Sequence, residues 1–79
     1  MEALDTVADG DAEIRVIVRR IGEEMQKDEV VMAALRRVGA LPDKVVTVGA
    51  GAEGVLIGSG GETAEIDLEI AQHLFVHRL

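Results

Sequence analysis

The sequence predicts a mainly β fold with one α-helix, arranged as a small, partly open barrel of about five short antiparallel strands. Its 79 residues suffice for one domain, and a chain of this size buries only about 60% of the surface that it exposes when unfolded. Its nine glycines favour a fold with many turns over a helical bundle. Phe75 is the single aromatic residue, so the core is expected to consist of Val, Ile, Leu, Ala and Met.

The chain is predicted to begin with a short separate segment. Residues 1–11 are expected to form an arm or a short edge strand, and residues 12–79 the domain itself. Asp9, Gly10 and Asp11 indicate a turn between the two, because Asp side chains bond to nearby backbone groups and Gly adopts positive φ.

The clearest strand pattern covers residues 12–20. Ile14, Val16 and Val18 alternate with charged residues, which is typical of a strand with one buried face and one solvated face. Ile17 is an apolar exception on the solvated face. We expect the amino-terminal arm or a partner domain to cover it.

The best-marked helix covers residues 29–38, where the apolar positions fall on one face. Asp28 is typical of a helix N-cap. Gly39 is typical of the left-handed residue that ends a helix, and Pro42 prevents any continuation.

The remainder of the chain predicts further strands. A Ser59-Gly60-Gly61 turn is expected to join two of them, and Asp67 is expected to cap a single helical turn over 68–72. The predicted strands are 44–48, 53–57, 62–66 and 74–78.

Composition argues against several classes of function. A net charge of −7 with one aromatic residue is atypical of nucleic-acid binding, which uses basic surfaces and stacking rings. The absence of Cys excludes disulfides and thiol nucleophiles. The lone Ser59 lies in a glycine turn, which argues against a Ser/His/Asp catalytic constellation.

The amino terminus does not resemble a signal peptide, and the longest apolar stretch, 30–35, is too short to span a bilayer. We therefore expect no enzyme, but a cytoplasmic binding or regulatory module.

Glu23 and Gln26 form an E-x-x-Q pair between the long strand and the helix. Their oxygen atoms would suit a hard or borderline cation such as Fe²⁺, Mn²⁺ or Ni²⁺. A solvated polar loop would have the same sequence, and spacing alone favours that simpler interpretation.

Two other patterns have simpler explanations. Glu69, His73 and His77 recur every fourth residue and would form a metal set on a helix, but residues 74–76 read as a strand, so surface histidines are favoured. The G-x-G-x-x-G of residues 49–54 precedes a strand-like run and not the helix that a dinucleotide site requires, so we interpret it as a hairpin loop.

The order of motifs over residues 13–76 resembles the carboxy-terminal domain of iron-dependent regulators of the diphtheria-toxin-repressor family. The stretches that carry the resemblance are VIVRRIGEEMQKD, LRRVGALPDKVVTV and GGETAEIDLEIAQHLFV, together about four-fifths of the chain with the glycine-rich loop between them. The resemblance implies an SH3-like, FeoA-like domain for residues 12–79, which in the family follows a winged-helix DNA-binding domain and a dimerisation domain.

The resemblance implies a metal role for Glu23 and Gln26. In the family, an E-x-x-Q pair of the third domain contributes two ligands to an ancillary metal site, and His and Glu from the first domain complete that site. These 79 residues would then be a monomeric regulatory fragment of a dimeric, metal-dependent repressor. The implied metal is Fe²⁺ or Mn²⁺, with Co²⁺ or Ni²⁺ as substitutes, and two ligands alone should bind it only weakly.

The implied partners are the DNA-binding and dimerisation domains of the same polypeptide, with their proline-rich linker as a further implied contact. No direct nucleic-acid or membrane contact is implied. A peptide-binding SH3 groove is lined with aromatic rings, whereas only Phe75 is available here.

Two alternatives remain. A stand-alone FeoA-like accessory protein of ferrous iron transport would share the region from Gly39 to Pro42, although the long segment 22–38 suits the regulators better. A generic acidic protein-interaction domain would need no metal at all.

Overall fold

The computed structural model describes residues 1–8 and 13–79, and it confirms a mainly β fold. Six antiparallel strands form one open sheet. The strands are β1 (Glu2–Ala3), β2 (Ile14–Ile21), β3 (Val45–Ala50), β4 (Gly54–Ser59), β5 (Glu62–Asp67) and β6 (Leu74–Arg78). Their order in the sheet is β1-β6-β2-β3-β4-β5, so the two-residue strand β1 lies at one edge.

Four helices accompany the sheet in the described part of the chain, and only α3 is longer than four residues. The predicted polar loop after β2 contains a helical turn that the sequence pattern did not indicate. The helices are α1 (Leu4–Val7), α2 (Glu23–Gln26), α3 (Glu29–Val38) and α4 (Leu68–Ala71). None of the described helices is long and apolar enough to cross a membrane.

Helix α3 has the predicted bounds and caps. Oδ1 of Asp28 accepts hydrogen bonds from the backbone N–H groups of Val30 and Val31, both at 3.1 Å. Gly39 ends the helix with a φ of 73°, in the left-handed region that favours glycine. The helical turn predicted after Asp67 is present as α4 (Leu68–Ala71) with Asp67 at its N-cap position, but the Asp67 side chain makes no capping hydrogen bond.

Strand β2 changes register near its end, and this extends its buried face. Val16 and Val18 are fully buried, as the alternation predicts. A β-bulge between Val18 and Arg20 then inserts one residue, so that Ile21 joins the buried face. The strand therefore ends one residue later than predicted, with Gly22 beginning the next turn.

The core lies on one face of the sheet, beneath the helices. Leu4 and Val7 of α1 belong to it, so the amino-terminal segment packs against the core through α1 and pairs with β6 through β1. Residues 1–8 do not cover Ile17, because Ile17 faces the other side of the sheet. Cover by a partner domain, the second expected possibility, stays a prediction. The predicted turn at 9–11 and the predicted boundary at 11–12 lie outside the described residues.

Candidate metal-ligand turn

Helix α2 is fixed by a backbone hydrogen bond at its start and by a buried side chain within it. The backbone N–H of Gly22 donates to the carbonyl oxygen of His73 at 2.7 Å. A Cβ at Gly22 would lie 2.9 Å from that same oxygen, so the close approach requires glycine. Met25 is only 1% exposed and anchors the turn in the core, and the N–H of Asp28 donates to the Met25 carbonyl at 3.1 Å. The turn is therefore a fixed element of the fold.

Glu23 and Gln26 both lie on α2 with exposed side chains. Residues three apart on a helix have Cβ atoms about 5–6 Å apart, so one ion could contact both side chains. The Nε2 group of Gln26 donates to the carbonyl oxygen of Ile21 at 2.7 Å. This bond uses the amide nitrogen and leaves the amide oxygen as the free acceptor of the side chain.

The pair is an incomplete ligand set. One carboxylate and one amide oxygen provide two or three donor atoms, whereas transition metals in proteins are commonly bound by four to six. Within residues 1–8 and 13–79, no group of three or more His, Asp or Glu side chains is placed to hold a metal ion. Glu23 and Gln26 by themselves would therefore leave at least one coordination position of such a metal to other ligands.

A groove that the sequence did not predict lies between α2 and α4. It has a volume of about 230 Å³, and Glu24, Asp28, Glu69 and His73 contribute to its lining. Asp28 is engaged in capping α3, and Glu24 lies 3.6 Å from the ammonium group of Lys27. Glu23 and Gln26 are not among its lining residues, so the groove and the E-x-x-Q pair are separate features.

The predicted alignment of Glu69, His73 and His77 depends on a helix that is too short to produce it. Helix α4 ends at Ala71, and His77 lies in β6, exposed and opposite Ile17 of β2. Glu69 and His73 share the groove, whereas His77 lies outside it. The preference for separate surface histidines agrees with this arrangement.

The glycine-rich loop is a β-hairpin, as predicted. Residues 49–54 comprise the end of β3, the connection 51–53 and the start of β4, and the N–H of Gly51 donates to the carbonyl of Gly54 at 2.8 Å. A Cβ at Gly54 would overlap the backbone carbonyl oxygen of Ile66 on β5. This glycine therefore permits close strand packing and does not begin a phosphate-binding helix.

No family model matches the chain, and no curated protein matches it at a significant level.

Proposed function

We propose that this chain is the carboxy-terminal regulatory domain of a cytoplasmic, metal-dependent transcriptional repressor. In this role it lends Glu23 and Gln26 to an ancillary site for Fe²⁺ or Mn²⁺ and contacts the DNA-binding and dimerisation domains of the same polypeptide. The proposal combines the family resemblance, which is an argument by analogy, with the arrangement of α2.

The hydrogen bond of Gln26 is the observation that best supports the proposal. A metal-ligating side chain is usually oriented by a second hydrogen bond to its remaining polar atom. Here Nε2 of Gln26 donates to the Ile21 carbonyl oxygen at 2.7 Å. This bond favours an orientation of the side chain in which the amide oxygen points away from that carbonyl.

The regulatory effect would arise from a shift in domain arrangement. Glu23 and Gln26 would hold the ion together with ligands from the DNA-binding domain. A bound divalent cation supplies the positive charge that attracts both sets of oxygen ligands. Its binding free energy then favours the arrangement in which the two domains meet, and so changes the population of the form competent for operator binding.

The rigidity of α2 fits this role. Met25 fixes the turn in the core and Gly22 joins it to His73, so Glu23 and Gln26 are presented by a preformed element. Few residues would therefore have to become ordered when a partner domain binds, which lowers the entropic cost of joining the two domains through the metal.

The test uses the longer polypeptide that contains this chain, with metal-dependent binding to its operator as the readout. Glu23→Ala combined with Gln26→Ala should raise the metal concentration needed for half-maximal binding and lower the occupancy of the ancillary site. Glu24→Ala is the matched control, because Glu24 is on the same turn and belongs to the separate groove.

Two results would contradict the proposal. Unchanged metal-dependent operator binding in the double variant would leave a generic interaction domain as the better description. A reading frame without a DNA-binding domain, placed beside a ferrous-iron transporter gene, would favour the accessory protein.

A further inference from the structure

The outward face of β6, β2 and β3 carries a mixed basic and apolar surface, which we call the outer patch. Strand register defines it: Ile17 is opposite Val45 on β3 and His77 on β6, and Arg20 is opposite Phe75. Arg15 lies two positions before Ile17 on the same face. The members of the outer patch are Arg15, Ile17, Arg20, Val45, Phe75 and His77.

The apolar part of the outer patch is accessible. Val45 is 40% exposed, and Ile17 and Phe75 are half-buried. Phe75 is the only aromatic residue of the chain, and the guanidinium carbon of Arg20 lies 5.8 Å from its ring centroid. This cation–π contact holds the Arg20 side chain near the face, so less entropy is lost when it meets a ligand.

The charge of the outer patch is opposite to that of the whole chain. The protein has 15 acidic residues and a net charge of −7, yet none of the six members is acidic. Arg15 and Arg20 form no ion pair with any described residue, whereas Arg19 binds Asp43 and Arg78 binds Glu2. Among the described residues, no carboxylate is paired with these two arginines beside the apolar centre.

We propose that the outer patch binds a short acidic peptide segment that carries one apolar side chain. The apolar side chain lies on Ile17 and Val45, while carboxylates of the segment pair with Arg15 and Arg20 on either side. Arginine and aromatic residues are the types that contribute most to interface affinity, and the planar guanidinium binds a carboxylate through two hydrogen bonds. This role is independent of the metal role of Glu23 and Gln26.

The dimensions of the outer patch favour a peptide over a nucleic acid. Three strands span about 10 Å, and the distance along β2 from Arg15 to Arg20 is about 16 Å at 3.3 Å per residue. An oligonucleotide that extended along β2 beyond Arg15 would approach the carboxylate of Glu13, whose side chain lies beside Gly49 of β3. Arg20 also occupies the neighbourhood of the Phe75 ring, where a base would need to stack.

The proposal is tested by titrating the ¹⁵N-labelled 79-residue protein with a capped pentapeptide of four glutamates around a central leucine. A peptide with four glutamines around leucine is the uncharged control. We expect amide shift changes on β2, β3 and β6 that weaken with added salt, and at least fivefold weaker binding of the control peptide. No shift changes at millimolar peptide, equal binding of both peptides, or changes centred elsewhere would overturn the proposal.

Variants identify the residues responsible. Arg15→Gln with Arg20→Gln should weaken binding of the glutamate peptide at least fivefold. Lys27→Gln with Arg36→Gln makes the same change in net charge, directly after α2 and on α3, and should alter binding less than twofold. Equal effects of the two double variants would show attraction to overall charge and contradict a defined site.

Two further measurements separate the remaining outcomes. Ile17→Thr keeps a β-branched residue on the strand and should weaken binding without loss of the dispersed amide spectrum, and unchanged binding would refute the apolar contact. A single-stranded oligonucleotide of five nucleotides should give smaller shifts than the glutamate peptide, and larger shifts at the same residues would favour nucleic acid instead.

Discussion

Substitution of Asp28 by alanine should destabilise the protein through the start of α3. The Asp28 carboxylate accepts two backbone hydrogen bonds, from Val30 and Val31, at 3.1 Å each. Alanine offers no acceptor, so both N–H groups would depend on water. The negative charge at the positive end of the helix would also be lost.

The size of the effect follows from these two contributions. Replacement of an N-cap Asp by Ala typically costs about 1 kcal/mol, within a range of roughly 0.5–2 kcal/mol. Because Asp28 satisfies two N–H groups of the only helix longer than four residues in the described chain, we expect a value in the upper half, about 1.5 kcal/mol. For a domain of this size, each kcal/mol lowers the melting temperature by about 4–8 °C, which gives a decrease of about 6–12 °C.

Thermal unfolding followed by far-ultraviolet circular dichroism measures this decrease. The method suits this protein because it reports on the backbone, and the chain contains no Trp or Tyr. Asp67→Ala is the matched control, because Asp67 also precedes a helix but makes no capping bond, and its stability should change by less than about 0.5 kcal/mol. Equal losses in the two variants would refute the capping argument and indicate a general effect of removing negative charge.

Two further substitutions test the packing of the hairpin and of α2. Gly54→Ala should cost about 2–3 kcal/mol, because its Cβ would overlap the Ile66 carbonyl, whereas Gly60→Ala, with a φ of 60° and open space, should cost about 1 kcal/mol. Urea unfolding measures both, and the reverse order would contradict the packing argument. Met25→Ala should cost about 2–5 kcal/mol and accelerate amide exchange across α2. Met1→Ala, at a site 63% exposed, should have no comparable effect, and equal stability of the two Met variants would exclude Met25 as an anchor.

The elements with local signals could be predicted from the sequence. Asp28 and Gly39 identify both ends of α3 because each acts on the backbone within a few residues. The final strand was predicted with its observed bounds, Leu74–Arg78, from a short apolar run. Such features depend little on the rest of the fold.

Elements formed by tertiary contacts could not be predicted in the same way. The turn of α2 has no side-chain N-cap and depends on Gly22 meeting His73, which lies on a distant strand end. The bulge between Val18 and Arg20 is equally invisible to a period-two pattern. A bulge moves Ile21 to the buried face, whereas strict alternation would place it on the solvated face.

The candidate site shows the same division. The E-x-x-Q spacing alone did not distinguish Glu23 and Gln26 from a polar loop, and the family resemblance was needed to select them. The bond from Gln26 to the Ile21 carbonyl requires the folded turn. The outer patch depends on register across three strands, so the sequence indicated only the exceptional Ile17.

The most direct test of the metal proposal is paramagnetic broadening of ¹⁵N-labelled protein by low concentrations of Mn²⁺. We expect the strongest broadening at the amides of α2, with weak overall affinity because the site is incomplete. Glu23→Gln should reduce this broadening at least threefold, and Glu24→Gln should leave it within the error of the measurement. Broadening centred on the groove around Glu69 and His73, or equal sensitivity to the two substitutions, would contradict a ligand role for Glu23 and Gln26.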